Sequence, residues 1–158
     1  MTIREGTLAG ENLRIGTRSD ILGNCNIGNF VRIHSNVFVP QGSNIGNSVW
    51  IYPYVVLTND PHPPSEVVAG VTIGDYAVLS TMSVILPGVS IGNGALIGAH
   101  SLVNRDVPAH MVAVGNPARI TKETSSITLQ DGSGRPAYPW TNHLSRGYPT
   151  DIVEEWLE

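Results

Sequence analysis

The sequence predicts an all-β protein in which residues 3–114 wind into a parallel β-helix of about six coils. Three observations support this fold: an aliphatic residue recurs at every sixth position, a small residue follows it four positions later, and glycine or asparagine often lies between them. The composition agrees, because 17 Gly and 11 Pro accompany many Val and Ile residues and few helix formers. Such a chain favours many short strands joined by tight turns.

The aliphatic series contains eighteen positions and has one break. A period of six fits neither a helix nor a hairpin meander, but it fits short strands that bend at three corners per coil, with the aliphatic side chain inside. The residue four positions later is small or β-branched in every unit except at Leu13 and Pro61, as a crowded corner requires. The series itself is Ile3, Ala9, Ile15, Ile21, Ile27, Ile33, Val39, Ile45, Ile51, Leu57, then Val67, Ile73, Leu79, Ile85, Ile91, Ile97, Val103 and Ala109.

The break lies between Leu57 and Val67, which are ten residues apart instead of six, so an excursion over residues 58–66 is expected to carry four inserted residues. Its three prolines cannot continue a strand ladder. The excursion presents His62 beside Asn59 and Asp60. A chain that keeps its period and interrupts it once indicates a functional loop, although a tolerated surface loop with solvated polar residues is the alternative.

Charge and composition exclude several classes of protein. A net charge of -4 argues against a nucleic-acid surface. No apolar run approaches the roughly 20 residues of a membrane span, and no secretory signal is visible, so we expect a cytoplasmic protein with no membrane association. The single Cys25 excludes an internal disulfide. Near the end of the repeat, Arg105, Arg119 and Lys122 form a basic cluster that suits a phosphate-rich ligand or merely decorates the end of the domain.

Residues 15–122 resemble the hexapeptide-repeat acyltransferases. The similarity is carried by residues 71–89 and by residues 98–119, and the second stretch is characteristic of the branch that uses acetyl-CoA. Residues 31–37 and 58–60 look most like the nucleotide-sugar and amino-sugar N-acetyltransferases. The resemblance implies a left-handed coil, a homotrimer with sites between subunits, acetyl-CoA as co-substrate and no metal ion.

The resemblance also implies roles for individual residues. Thr81 and Ala99 would lie along the pantetheine arm, with Gly98 letting the backbone approach it. The matching cofactor contacts are Asn104 and Arg105 to coenzyme A, and Arg119 and Lys122 to its phosphates. The His62-Pro63 pair resembles that of the galactoside and maltose acetyltransferases, where the histidine is the catalytic base. The following loop is much shorter here, so their acceptor contacts cannot be carried over. Asn59 and Asp60 match residues near the acceptor amine.

Acetyl transfer needs a base, an oxyanion donor and positioned substrates. Our hypothesis is that neutral His62 accepts the proton, with Asp60 or a backbone carbonyl fixing its tautomer, and that an N–H near Thr81 serves the oxyanion. His34 either lines the acceptor pocket or is a solvated corner residue. Trp50 and Tyr52 either stack on a sugar or base, or pack against a trimer neighbour. Three histidines also suggest γ-class carbonic anhydrases, but the paired histidine ligands of that family are missing, which argues against a metal.

Residues 1–122 are therefore expected to form the acyltransferase domain and residues 123–158 a tail. Residues 123–137 look like a linker, and a short helix follows Thr150 as its cap, with Ile152, Val153, Trp156 and Leu157 on one apolar face. The tail would cap an open end of the β-helix or dock on a neighbour, or else recognise the acceptor through Trp140, His143 and Arg146.

The sequence thus predicts an acetyl-CoA-dependent acetyltransferase that acts on a sugar, in particular on the amino group of a nucleotide-linked aminodeoxysugar. The alternatives are an O-acetyltransferase acting on a saccharide or small hydroxyl acceptor, and a non-catalytic β-helix assembly protein. The acceptor itself cannot be read from a repeat scaffold.

Overall fold

The computed structural model describes all 158 residues and confirms the β-helix. Sixteen two-residue strands form three parallel sheets, here called A, B and C, which the chain visits in that order. Most strands pair with the strand 18 residues further on, one full coil away, as Ile15 pairs with Ile33 and Ile33 with Ile51, and the pairs that span the excursion are 28 residues apart. The strands are β1 (Thr2–Ile3), β2 (Leu8–Ala9), β3 (Arg14–Ile15), β4 (Asp20–Ile21), β5 (Asn26–Ile27), β6 (Arg32–Ile33), β7 (Phe38–Val39), β8 (Asn44–Ile45), β9 (Trp50–Ile51), β10 (Val56–Leu57), β11 (Thr72–Ile73), β12 (Val78–Leu79), β13 (Val84–Ile85), β14 (Ser90–Ile91), β15 (Leu96–Ile97) and β16 (Leu102–Val103).

The second residue of each strand points into the prism, and from Ile21 onwards these aliphatic side chains are buried. The small residues four positions later fill the corners, where Cys25, Ala77 and Ser83 are fully buried. Together they form one continuous core cluster of 24 residues. Sequence periodicity therefore predicted the core correctly from Ile21 to Val103 except at Val67, because the alternation of a large side chain on a flat face with a small one at a corner follows from the shape of the coil. Ile3 and Ala9, in the first coil, were predicted to point inward and are exposed.

The size of the excursion was predicted wrongly. Ile45 pairs with Ile73, 28 residues further on, so ten residues are inserted and not four. Val67 is 72% exposed and lies in the excursion instead of the core. The Ala69 N–H donates to the Asn59 carbonyl at 2.7 Å and closes the neck of the loop. The ladder resumes at Gly70, where a Cβ would overlap the carbonyl oxygen of Gly42. Val67 lies six residues before Ile73 and so matches the spacing of the repeat, although it belongs to no strand.

The repeat also ends earlier than predicted. Ala109 is exposed and belongs to no strand, so sixteen repeat units form two-residue strands and not the eighteen predicted. The helix closes instead with β17 (Met111–Gly115), which joins sheet C parallel to β15, and β18 (Ala118–Glu123), which returns antiparallel to it. This hairpin covers the last coil of sheet C with a strand that departs from the six-residue pattern.

The tail is ordered differently from the prediction. Residues 123–137 form 3-10 turn Thr124–Ser126 and a narrow hairpin, in which the Leu129 N–H donates to Arg135 and the Ala137 N–H to Ile127, instead of an unstructured linker. A second 3-10 turn (Trp140–Asn142) and helix α1 (Thr150–Leu157) follow. No side chain caps α1, whose preceding residue is Pro149, so Thr150 is its first residue and not its cap. Leu157 is 64% exposed, outside the predicted apolar contact.

The tail packs on the outward face of sheet C of its own chain and not over an open end of the β-helix. The Trp140 indole N–H donates to the Tyr76 carbonyl at 3.1 Å, and that of Trp50 donates to the Tyr148 hydroxyl at 2.8 Å. The Trp140 and Trp156 rings meet edge to face at 5.3 Å. The predicted linker and tail thus form a second layer against the β-helix.

Candidate active site

The candidate residues lie on two different edges of the prism. We call the corners after their flanking sheets: corner AB follows strands of sheet A, corner BC follows sheet B and corner CA follows sheet C. Corner CA carries His34, Tyr52, Thr81, Gly98 and Ala99, and corner AB carries Asn59, Asp60, His62, Asn104 and Arg105. The two groups border opposite sides of sheet A, so one chain does not bring His62 beside Thr81.

Backbone donors distinguish corner CA from corner BC. At the third position of corner BC, a ladder of side-chain amides and carboxylates occupies the N–H groups: Asn29 donates to Asn47 at 2.8 Å and Asn47 to Asp75 at 2.7 Å. Asp75 in turn donates to Asn93 at 2.9 Å. Sequence reasoning missed this ladder, although Asn or Asp at one repeat position in successive coils was its visible signal.

Thr81 and Ala99 occupy the same position at corner CA, and neither backbone N–H has an acceptor within the chain. They lie 18 residues apart, which places them on neighbouring coils roughly 4.8 Å from each other, the spacing of adjacent strands. Backbone donors without a partner are ready to bind a ligand carbonyl. The structure therefore leaves donors free at the corner where the pantetheine arm was predicted.

Gly98 has a packing reason to be glycine, since a Cβ there would lie 2.8 Å from Cγ2 of Val114. Arg119 and Lys122 lie opposite Val114 and Val112 of β17, because a bulge in β18 skips one residue between them. The bulge therefore puts both cations on one face of the hairpin. Both are exposed and neither forms an ion pair, as the two ion pairs of the chain are Arg4–Asp20 and Arg135–Asp131.

The excursion is organised by Asp60. Its Oδ1 accepts the His62 backbone N–H at 3.1 Å and the Ser65 hydroxyl at 2.6 Å, and its Oδ2 accepts the Ser65 N–H at 3.0 Å. The Ser65 hydroxyl bond contributes most to holding the pKa of Asp60 below its usual value. The structure gives no contact from Asp60 to the His62 imidazole, which is exposed and unbonded. In this structure Asp60 therefore bonds the loop backbone and Ser65, and the assignment of the His62 tautomer to Asp60 or to a backbone carbonyl stays a prediction.

Other groups on corner AB line up along the helix axis. The Asn59 side-chain amide donates to the Gln41 carbonyl at 3.1 Å, which anchors the start of the excursion to the coil below. Arg105 occupies the same corner position two coils further on, roughly 10 Å away at the strand spacing. Asn104 and Arg105 are exposed. Corner AB thus presents His62 and Arg105 to solvent along one edge.

The aromatic candidates separate into an accessible pair and a packed residue. The His34 ring stacks on Tyr52 with centroids 4.7 Å apart and planes 15° apart. Burial lowers the pKa of His34, which favours its neutral form. Trp50 instead lies under the tail, with Trp140 edge-on at 6.1 Å. Trp50 therefore packs against the chain's own tail, whereas Tyr52 stays 37% exposed at corner CA.

No three His, Cys, Asp or Glu side chains come together in a geometry that could hold a metal ion. His34 and His100 lie on corner CA, whereas His62 lies on corner AB. No helix combines the length and apolar character of a membrane span.

Comparison with known proteins agrees with this architecture. Residues 70–105 match the family model described as bacterial transferase hexapeptide (six repeats). Over 124 residues the chain is 38% identical to serine acetyltransferase 2 of Arabidopsis thaliana, covering 72% of this chain and 35% of that protein. Over 87 residues it is 37% identical to galactoside O-acetyltransferase of Escherichia coli K12, covering 50% and 43%. The chain spans less than half the length of these curated relatives.

Among solved structures, the chain is similar to perosamine N-acetyltransferase from Caulobacter crescentus, solved in complex with CoA and GDP-perosamine. The TM-score is 0.67 at 26% identity, over 75% of this chain and 51% of that one. The structure is therefore a left-handed hexapeptide-repeat β-helix of the kind found in acetyltransferases. This handedness departs from the usual right-handed crossover between parallel strands.

Proposed function

We propose that the protein is an acetyl-CoA-dependent acetyltransferase acting on a sugar, in particular on the amino group of a nucleotide-linked aminodeoxysugar. The observation that carries the proposal is that the backbone N–H groups of Thr81 and Ala99 at corner CA have no acceptor within the chain. The exposed cations Arg119 and Lys122 of β18 lie next to this corner. The similarity to CoA-bound perosamine N-acetyltransferase supports both the co-substrate and the acceptor class.

The two-edge distribution supports a homotrimer. In our proposal, corner CA of one subunit faces corner AB of the next, so that each site combines residues of two chains. Corner CA supplies Thr81, Gly98 and Ala99 for the pantetheine arm, while Arg119 and Lys122 bind phosphate. Corner AB supplies His62 and Asn59 for the acceptor amine, and Asn104 and Arg105 for further contacts to coenzyme A. Head-to-tail contacts of this kind close into rings.

The chemistry assigned to these groups is a balanced acyl transfer. The acceptor nitrogen attacks the thioester carbonyl carbon while the His62 imidazole takes the proton that the nitrogen loses. The carbonyl oxygen becomes an oxyanion that the Thr81 N–H meets, and the thiolate leaves when the C–S bond breaks, so that an amide and free coenzyme A remain. Asp60 contributes by holding the backbone on both sides of His62. A base of this kind contributes about 10²–10⁴-fold.

A panel of amino- and hydroxy-sugars, free and nucleotide-linked, with thiol release as readout, tests the reaction and its acceptor. O-acetyl transfer is the second candidate, favoured by the His62-Pro63 pair and by the similarity to galactoside O-acetyltransferase. Acetylation of a hydroxyl acceptor alone would decide for it. Absence of coenzyme A binding by calorimetry at millimolar ligand would reject both reactions and leave a non-catalytic β-helix assembly protein.

Subunit mixing tests the shared site. His62→Ala removes the base, and Thr81→Pro removes the corner donor, at a position where Pro53 already occupies the same corner one coil earlier. His62→Ala alone should lose about 10²–10⁴-fold in activity, and Thr81→Pro alone about 10²–10³-fold. Mixed trimers should regain activity, because about a quarter of the interfaces combine two intact halves in a closed ring. His100→Gln is the matched control. Wild-type kcat/KM in His62→Ala would refute the base assignment, and no recovery on mixing would refute the shared site.

A further inference from the structure

A polar cleft lies beside corner CA, between the first strands of sheet C and the tail. Its volume is about 340 Å³, and its lining includes Arg14, Arg32, His34, Trp50, Arg146 and Gly147. Three of the nine Lys and Arg residues of the chain therefore converge on one cleft. None of the three was among the candidate cofactor residues.

Arg32 is a buried cation without a counter-charge. Arg32 is only 5% exposed, and its guanidinium donates to the carbonyls of Asn12 at 2.7 Å and Gly147 at 2.8 Å. The guanidinium also lies 4.6 Å from the centre of the Tyr148 ring. All these partners are neutral. Buried charges are normally paired, because desolvation of an unpaired ion is costly.

Arg14 adds a second positive charge to the same place. A Cβ on Gly147 would lie 3.1 Å from Nη1 of Arg14, so the Arg14 guanidinium packs closely against the tail backbone. Proximity to Arg14 adds to burial, the larger cause, in lowering the pKa of Arg32. Carboxylates were available, since the chain has 13 Asp and Glu against 9 Lys and Arg, yet its ion pairs involve only Arg4 and Arg135.

We propose that this cleft binds a diphosphate group, namely that of the nucleotide-linked acceptor, through Arg14 and Arg146 with Arg32 behind them. The inference rests on the proposed function and names its acceptor site. Guanidinium groups bind phosphate oxygens bidentately, and they would neutralise the two negative charges of a sugar-linked diphosphate.

The cleft adjoins the proposed acetyl-transfer edge. His34 lines the cleft and also occupies corner CA, two coils before Thr81, which is roughly 10 Å at the strand spacing. A sugar attached to a diphosphate held by Arg14 and Arg146 would therefore extend over the stacked His34 and Tyr52 towards Thr81. This direction places the acceptor amine, and not the phosphates, at the thioester.

Coenzyme A also carries a diphosphate, so the experiment has to separate the two sources. UDP, GDP, dTDP, pyrophosphate and coenzyme A are titrated separately into the full chain, with calorimetry and intrinsic tryptophan fluorescence as readouts. At least one nucleoside diphosphate should bind in the absence of coenzyme A, and its binding should persist when coenzyme A is saturating. Competitive displacement by coenzyme A would assign the cleft to the cofactor and overturn the proposal.

The double variant Arg14→Gln and Arg146→Gln tests the residues. It should weaken nucleoside diphosphate binding by about tenfold or more, as loss of charge-assisted bonds to phosphate requires, and raise KM for the nucleotide-linked acceptor with little change in kcat. Arg18→Gln is the matched control: it lies on the same coil, bonds Asn36 and does not line the cleft. Unchanged affinity in the double variant, or no diphosphate binding to the wild type at millimolar concentration, would overturn the inference. Thiol release with a free amino sugar would still report the proposed function independently.

Discussion

Removal of the Trp140 side chain is expected to release the tail while leaving the β-helix folded. Trp140 is 6% exposed, and its ring contacts Trp50, Trp156 and Tyr148 at centroid distances of 6.1, 5.3 and 5.7 Å. It also donates one hydrogen bond to Tyr76. The 24-residue core cluster of the β-helix does not include it. Tail docking and the helix core are therefore separate sets of contacts.

The magnitude follows from those contacts. Truncation of a buried tryptophan to alanine costs about 3–5 kcal/mol, a range that includes aromatic pairs of about 0.5–1.5 kcal/mol each and a hydrogen bond of about 1 kcal/mol. A loss of this size, concentrated on contacts that only the tail makes, favours local opening of the tail. Residues 138–157 should then be undocked in a substantial fraction of Trp140→Ala molecules.

Hydrogen exchange read by mass spectrometry separates local from global opening. In Trp140→Ala, tail peptides should exchange much faster while peptides of sheets A and B keep their protection. Tyr54→Ala is the control, since Tyr54 is an exposed aromatic residue outside the tail cluster. Leu79→Ala provides the opposite reference, because a fully buried core leucine should destabilise the whole helix. If Trp140→Ala kept a fully protected tail, or lost protection everywhere as Leu79→Ala does, the separation of the two layers would be refuted.

Three further predictions concern single groups. Ser83→Ala should leave the free energy of unfolding unchanged or raise it by about 1–2 kcal/mol, because the buried Ser83 hydroxyl has no hydrogen-bond partner. Ser43→Ala should instead lower it by about 1 kcal/mol, because it removes a 2.8 Å hydrogen bond to the Pro40 carbonyl. Urea unfolding measures both variants. Asn47→Ala should cost about 1 kcal/mol by stranding the Asn29 N–H, and an equal free energy of unfolding would disprove the ladder's contribution. The pKa of Asp60 is depressed, so its hydrogen bonds hold the excursion fully above the ordinary pKa of 3.8 and are lost as pH falls through the lower folded value. The amide NMR shifts of His62 and Ser65 should follow that titration in the wild type. In Asp60→Asn they should show no such step over the same pH range.

The excursion shows the limit of periodicity as a guide to structure. The pattern located the interruption correctly after Leu57, because an aliphatic residue every six positions is a local requirement of the coil. It failed on the length, because Val67 satisfies the pattern by position while pointing to solvent. Only strand pairing between Ile45 and Ile73 counts the inserted residues, and pairing is a contact between distant parts of the chain.

The same distinction applies to the candidate site. His62, Asn59 and Thr81 were identified as candidates from residue type and position in the repeat. Their separation onto two edges follows from which sheet precedes each corner, and thus from the order of coils. The hydrogen bonds of Asp60 could not be predicted for a similar reason, since its oxygens accept from loop donors that only the folded excursion brings within reach.

The sequence by itself determined the β-helix, its core and the place where the repeat is interrupted, because each of these depends on side chains six or eighteen residues apart along a regular coil. The tertiary structure alone decided where the tail lies. Its tryptophans are apolar in any environment, and what fixed them on sheet C is the match of Trp140 with Tyr76 and of Tyr148 with Trp50. The same packing buried Arg32 without a carboxylate and so created the arginine cleft, since a charge becomes costly only once the fold has removed it from water.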